Sequence, residues 1–444
     1  MSATLMVWTV TALLCLGLLT QSHWEPQVRR RIGGVPWGWY FVGFPITACR
    51  MWFTWRRLCQ NTDLAVVRRP RYALVGRDVM VRGMALRPVP PRLGLPKINR
   101  LGAGLSVRVR LHPGQTPAQF IAATEAIVHA WRVHSARVIS PERGEVLIVA
   151  TARDPLAEDP VRRLHPAPRF LAAVVGRTGD SSAWTLDLRK VPHWLVVGAT
   201  QSGKSTLLAA FVTHLGAQPV ALVGIDCKGG MEFSLFAKRL SALATERREA
   251  IGLLHALLAE AEARMAMCRA AGARSIWGLS DDQRPVPIVV LVDEIAELYL
   301  SGSTLAGRKE AVECSTALLR LAQLGAALGL HLVVAAQRFG SELGPGATAL
   351  RAQLGGRICH RVNDEASAEM ALGDLSPDAI AVAQAITEDE KGVAVTTIGG
   401  HWVRARSLLF SPEEVRHYAA LNADRRPDLP DLIAAVEAGW RPHD

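Results

Sequence analysis

Eight consecutive residues, Gly198-Ala199-Thr200-Gln201-Ser202-Gly203-Lys204-Ser205, fit G-x-x-x-x-G-K-[ST] at every constrained position. The apolar run Trp194-Leu195-Val196-Val197 precedes them, and a helical pattern opens after them with Thr206-Leu207-Leu208. A strand that turns through glycines directly into a helix is the context this motif requires. Gly198 and Gly203 let the backbone curl, so that amide N–H groups from Gly198 to Thr206 surround phosphate. Lys204 is expected to reach the β- and γ-phosphates of ATP, and Ser205 to supply an oxygen to Mg²⁺. Few folds accommodate such a loop, and all of them place it at the end of a buried strand.

Two further buried-strand patterns end in polar groups. Ile288-Val289-Val290-Leu291-Val292 runs into Asp293-Glu294. An open parallel sheet binds ligand at the carboxyl ends of its strands. That places Asp293, on a neighbouring strand, beside the phosphate loop, where it would hold Mg²⁺ through water. Glu294 would polarise the water that attacks the γ-phosphate. His331-Leu332-Val333-Val334-Ala335-Ala336 ends in Gln337, an amide able to contact the γ-phosphate or the attacking water and report nucleotide state. Asp226-Cys227-Lys228-Gly229-Gly230-Met231-Glu232 follows another strand pattern and reads as a polar loop, lining a subunit interface or supporting the site.

Strand candidates at 194–197, 220–225, 288–292 and 331–335 alternate with helical stretches, the longest at 246–271. The expected fold is therefore α/β, a RecA-like P-loop core with a parallel sheet covered on both faces. Ahead of it, 105–111 alternates like a strand, 116–134 has helical spacing, and 136–139 and 145–150 look like strands around the turn at 141–144. This predicts a small β-α-β-β domain.

The N-terminal third differs in character. Residues 1–170 hold 24 Lys/Arg against 9 Asp/Glu, and the remainder holds 27 against 31, so the chain's net charge of +11 belongs to the first third. An anionic partner, lipid or nucleic acid, is favoured there. Residues 3–20 form an uncharged run of 18, about the minimum for a membrane-spanning helix, with no basic segment before it as a signal peptide would have. A second apolar stretch, 32–55, carries Trp37, Trp39, Tyr40, Trp52 and Trp55 and is broken by Pro36 and Pro45. It is expected either to complete a helical hairpin or to lie in the membrane interface. The seven cysteines show no C-x-x-C and read as reduced packing residues. The resulting layout is a membrane anchor at 1–57, a basic Pro-rich linker at 58–100, a small α+β domain at 101–168, the motor at 169–410 and a helical tail at 411–444.

The order of these motor motifs resembles the FtsK/SpoIIIE family of membrane-anchored DNA translocases. The similarity is carried by the phosphate loop, Asp226-x-Lys228-Gly229-Gly230-x-Glu232, Asp293-Glu294, and Arg320-Leu321-Ala322-Gln323 leading through His331 to Ala336-Gln337-Arg338. A helix bearing Glu260, Glu262 and Arg264 is similar in placement. The resemblance implies a homo-hexameric ring that hydrolyses ATP between subunits and threads double-stranded DNA, with the motor on the cytoplasmic side of the cell membrane. Two departures stand out. The position where such motors carry an arginine finger is Ala326, leaving Arg320, Arg338 or Arg357 as substitutes. The 34 residues after Phe410 are also too few for a sequence-reading winged-helix module. The resemblance is therefore strongest to the DNA-transfer proteins of actinobacterial conjugative elements. A coupling or secretion ATPase moving single-stranded DNA or protein, a chromosome-partition translocase, and a membrane protein using ATP as a switch are the alternatives.

Overall fold

The structure, a computed structural model, describes residues 39–66, 88–99, 104–152, 154–157, 169–300, 304–373 and 377–440. The uncharged run at 3–20, the arginines at 29–31 and those at 68–71 lie outside these residues. The chain divides into two units, Met1–Pro155 and Leu156–Asp444.

The first unit contains an antiparallel sheet of five strands: β1 (Arg92–Leu93), β2 (Lys97–Asn99), β3 (Gly104–Arg110), β4 (Ser135–Ile139) and β5 (Glu145–Thr151). β3 is the hub, pairing with β1, β2 and β5, and β4 closes the far edge. Period-two alternation buries Leu105, Val107 and Val109 while Arg108 and Arg110 face solvent and pair with Glu145. The expected helix at 116–134 arrives as two, Pro117–Ala122 and Thr124–Trp131, the first opened by a capping box between Thr116 and Gln119.

Over its described part, 39–55, the second apolar stretch contributes to a helix that packs on the small domain along one face. Phe44–Asn61 is a helix whose Met51, Trp55, Leu58 and Cys59 are buried in one cluster with Leu105, Ile127, Trp131 and Ile148. Trp55 donates its indole N–H to Pro91 O at 2.9 Å. Burying side chains of this size contributes about 1.5–3 kcal/mol each, which fixes the helix onto the small domain. Among the described residues, no helix is long and apolar enough to cross a membrane. The stretch expected as linker likewise supplies β1, β2 and a bridge between Val66 and Val89.

The second unit holds a ten-stranded sheet in the order β10-β9-β11-β12-β8-β13-β14-β15-β6-β7. In chain order the strands are β6 (Ala172–Thr178), β7 (Ala183–Asp187), β8 (His193–Val197), β9 (Ala221–Ile225), β10 (Ala242–Ala244), β11 (Ile288–Val292), β12 (Leu330–Ala336), β13 (Gly356–His360), β14 (Val393–Ile398) and β15 (His401–Ser407). The six strands from β10 to β13 pair in parallel. The remaining four add on as antiparallel ribbons. The sheet is thus mixed rather than purely parallel. Hairpin-linked strands need no crossover helix, so an expectation built on alternating strands and helices does not include them.

Alternate residues of the buried strands feed opposite faces. Leu195 and Val197 join a cluster covered by the helices Arg247–Ala270 and Leu305–Leu328, while Trp194 and Val196 pack on the helix Lys204–Gly216. The segment expected as a helical tail packs on the same body: the helix Pro412–Leu421 buries Val415, and Pro430–Ala438 lies on Arg247–Ala270.

Candidate functional site

The phosphate loop leaves the end of β8 and passes into the helix Lys204–Gly216. Gln201 takes φ +61° and Gly203 φ +118°, the second a conformation that side chains strongly disfavour. Three of the N–H groups expected around phosphate are already engaged, that of Ser202 within the loop, to Ala199 O at 3.3 Å. Gly198 N donates to Ala336 O at 3.1 Å and Ala199 N to Arg361 O at 2.8 Å, continuing the pairing with the strands on either side. The available donors therefore begin further along. The first bond of the helix runs from Leu207 N to Gly203 O at 3.0 Å, which leaves the N–H groups of Lys204, Ser205 and Thr206 on its open end. Ser202 Oγ is buried with no hydrogen-bond partner. Lys204 Nζ folds back onto the loop, donating to Gly198 O at 2.5 Å and Ala199 O at 3.0 Å. Burial lowers the pKa of its ammonium group, and the Glu294 and Asp293 carboxylates oppose that shift. An open helix end, an unsatisfied hydroxyl and a half-buried cation together fit a triphosphate.

One wall of the loop comes from far down the chain. Gly392 N donates to Ser202 O at 3.0 Å, and Ser407 N donates to Gly392 O at 2.9 Å, so the antiparallel ribbon is tied to the loop. His360, fully buried, lies beside Gly198 and Gly203 and donates through Nδ1 to Val393 O at 3.0 Å. Burial depresses its pKa to about 4, so the ring is neutral at physiological pH. Neither Gly392 nor His360 stands in a recognisable motif, and periodicity carries no signal for a contact between a loop and a distant hairpin.

The acidic pair comes close to the loop by a different arrangement from the one expected. β12 lies between β8 and β11, so Asp293 and Glu294 are on the next strand but one. Asp293 N pairs with Ile225 O at 3.1 Å and Ile295 N with Ala335 O at 2.9 Å, which extends the ladder past the strand end. Asp293 and Ser205 line a single pocket. Desolvation raises the Asp293 pKa to about 6, with added repulsion from Asp226 and Glu232 and partial relief from Lys228. Glu294, buried, has Oε2 at 3.7 Å from Lys228 Nζ, and its Oε1 accepts from Gln337 N at 3.3 Å. The intervening strand is what brings Gln337 to Glu294; the Gln337 side chain itself is exposed.

The loop at 226–232 supports this cluster. Asp226 accepts N–H bonds from Lys228 (3.3 Å), Glu232 (2.9 Å) and Phe233 (3.2 Å), and Gly229 and Gly230 have φ of +75° and +71°. The buried Asp226 carboxylate thus shapes the turn that delivers Lys228. Among the described residues, no three His, Cys, Asp or Glu form an all-protein metal cage. Mg²⁺ normally uses one or two carboxylates plus substrate phosphates and water, a demand that Ser205 and Asp293 fit.

The remaining motif residues make other contacts. Arg264 bonds Glu260 at 2.7 Å, Leu328 O at 2.8 Å and Val286 O at 2.8 Å, pinning the segments that lead into β11 and β12. Arg357 donates to Arg351 O at 2.7 Å, Arg338 lies 3.8 Å from Glu342 and 3.9 Å from Asp364, and Arg320 is exposed on its helix. Ala326 is exposed, and its carbonyl accepts the Trp277 indole N–H at 3.2 Å.

Comparison with known proteins agrees with this geometry. Residues 163–285 and 277–341 match the FtsK/SpoIIIE family, and residues 27–152 match the actinomycete conjugal transfer protein N-terminal domain. Transfer protein TraSA of Streptomyces ambofaciens is 43% identical over 370 residues, 79% of this chain and 88% of its own. The chain belongs to the actinomycete conjugal transfer proteins of the FtsK/SpoIIIE family. It is accordingly a P-loop ATPase. A sporulation regulatory protein of Streptomyces azureus is 46% identical over 267 residues, covering 60% of this chain and 88% of the relative. In fold, the chain is similar to the pCW3 conjugation coupling protein TcpA, solved with ATPγS, at TM-score 0.52 and 21% identity over 83% of this chain and 98% of that one. The FtsK/SpoIIIE match contains the phosphate loop, the 226–232 loop, the acidic pair and Gln337. The transfer-protein N-terminal match contains the helix Phe44–Asn61 together with the sheet it packs on.

Proposed function

We propose that this family member is a membrane-anchored, ATP-driven translocase that moves double-stranded DNA during conjugative transfer. It acts as a homo-hexameric ring with the motor unit in the cytoplasm. The observation that carries this reading is the joining, in one chain, of a transfer-protein N-terminal domain to an FtsK/SpoIIIE motor. The uncharged run at 3–20 supports the anchor, and the +15 balance of residues 1–170 (24 minus 9) supports an anionic environment around it.

In the proposed cycle the N–H groups of Lys204, Ser205 and Thr206 and the Lys204 ammonium bind the phosphates of ATP. Ser205 and Asp293 would hold Mg²⁺, which when bound neutralises phosphate charge. Glu294, fixed by Gln337 N and Lys228, orients the attacking water and accepts its proton. The Gln337 side chain, on the strand between the loop and the acids, senses the γ-phosphate. DNA is gripped through its phosphate backbone without base readout.

The test is the ATPase rate of the purified full chain with duplex DNA, single-stranded DNA and no DNA. Strong stimulation by duplex with little from single strands is expected. Preferential stimulation by single strands would replace this reading with a coupling ATPase, and stimulation by neither would replace it with a secretion motor or switch.

A further inference from the structure

The helix Phe44–Asn61 has two unlike faces. Its inner face is the one buried in the small domain. On the outer face Ile46, Trp52 and Phe53 are 50%, 57% and 81% exposed, Cys49 is exposed between them, and Arg56 and Arg57 follow on the next turn, also exposed. The helix contains no Asp or Glu. Exposed aromatic and aliphatic groups of this size leave water favourably at about 25 cal/mol per Å², so this face lacks a partner in the folded unit.

We propose that the outer face of this helix lies in the headgroup layer of an anionic membrane and holds the small domain against the bilayer. The proposal rests on the membrane reading above but concerns a separate contact. A headgroup layer accepts both halves of the face: Trp and Phe enter the acyl boundary while Arg meets lipid phosphate. Duplex DNA would pair with Arg56 and Arg57 but offers nothing to Ile46, Trp52 and Phe53. A second copy would accept the apolar groups but would bring like charges together. Residues 21–43 separate the helix from the uncharged run. A chain of that length reaches at most about 80 Å, so anchoring at 3–20 keeps this face near the same membrane.

Cys49 supplies the probe. The full chain carrying Cys15→Ser and Cys227→Ser is labelled at Cys49 with an environment-sensitive fluorophore and reconstituted into phosphatidylcholine vesicles, with or without phosphatidylglycerol and doxyl-labelled lipid. In the anionic vesicles the emission is expected to shift to the blue and to be quenched by doxyl lipid. Trp52→Ser/Phe53→Ser should return it to the aqueous position with the ATPase rate unchanged. Arg56→Gln and Arg57→Gln should each lower the shielded-to-free ratio by about fivefold. If the chain floats with the vesicles while the probe stays aqueous, the interfacial contact is wrong and the anchor stands. If the chain does not float, both are wrong. A blue shift without doxyl quenching, alone or on adding duplex DNA, means that a second copy or DNA covers the face, and overturns the proposal.

Discussion

The carboxylate of Glu294 accepts the main-chain N–H of Gln337 at 3.3 Å, although the two residues are 43 positions apart and end different strands. β11 and β12 are neighbours in parallel register, Val292 opposite Val334, so the residues that leave their ends emerge side by side. A main-chain donor cannot be removed by changing the Gln337 side chain. The hold on Glu294 is therefore built into the sheet, while the Gln337 side chain is left exposed.

Glu294→Gln should retain ATP but lose hydrolysis by about 10²–10⁴-fold, the usual contribution of a positioned base. The substitution is close to isosteric and keeps an oxygen for the Gln337 N–H, so folding should be unaffected. Equilibrium ATP binding and steady-state turnover, measured on one preparation, check this. Turnover at the parent rate would remove Glu294 from its assigned role.

Lys204→Ala should abolish nucleotide binding or turnover. In the parent chain, ATP at about 100 times its Kd should stabilise the fold by about 2.7 kcal/mol. The variant should show no such shift, and thermal denaturation with and without ATP reads the difference directly. Because Nζ rests on Gly198 O and Ala199 O, a modest change in the stability of the nucleotide-free fold is also expected.

Gln337→Ala should leave ATP binding and basal hydrolysis near the parent level and remove stimulation by duplex DNA. The N–H that fixes Glu294 survives the change. A parallel fall in basal and stimulated rates would instead place the side chain in the chemical step.

His193 and His331, 2% and 1% exposed, predict acid lability of the motor unit. Burial lowers both folded pKa values to about 4, with the neighbouring His193, then Arg189 and Arg264, adding to the shift at His331 and each ring's hydrogen bond to main chain opposing it. The unfolded chain, near 6.5, binds these protons first. Stability should therefore be fully present above pH 6.5 and fall between 6.5 and 4, by at most about 3 kcal/mol per group. Urea unfolding across that range checks the slope, and because His360 is depressed to the same value, His331→Gln should lower it by about a third.

Much of the motor was legible because its elements are local. An apolar run, two glycines and a Lys-Ser pair lie within a dozen consecutive positions, and the strand expected at 288–292 is β11 residue for residue. The strands from β13 outward were not legible. β13 carries Arg357 and His360, and β14 carries Thr396, whose hydroxyl bonds Arg357 O at 2.8 Å, so neither reads as an apolar run. The helix Phe44–Asn61 was legible as apolar but not as an element packed on the small domain. Its tryptophans and aliphatic residues suit a lipid or a protein interior equally, and composition does not say which.

The sequence alone determined the elements of the candidate site: the glycine-bounded loop between a strand and a helix, the cation and hydroxyl that close it, and the carboxylates that end a buried strand. Each depends on residues adjacent in the chain, whose backbone geometry is set by their own side chains. Only the tertiary structure decided the strand order that inserts β12 between the loop and the acids, the closure of the loop by Gly392 and His360, and the burial of Met51 and Trp55. Those contacts join segments scores of residues apart, and their free energy comes from excluding water between surfaces that no local pattern can pair.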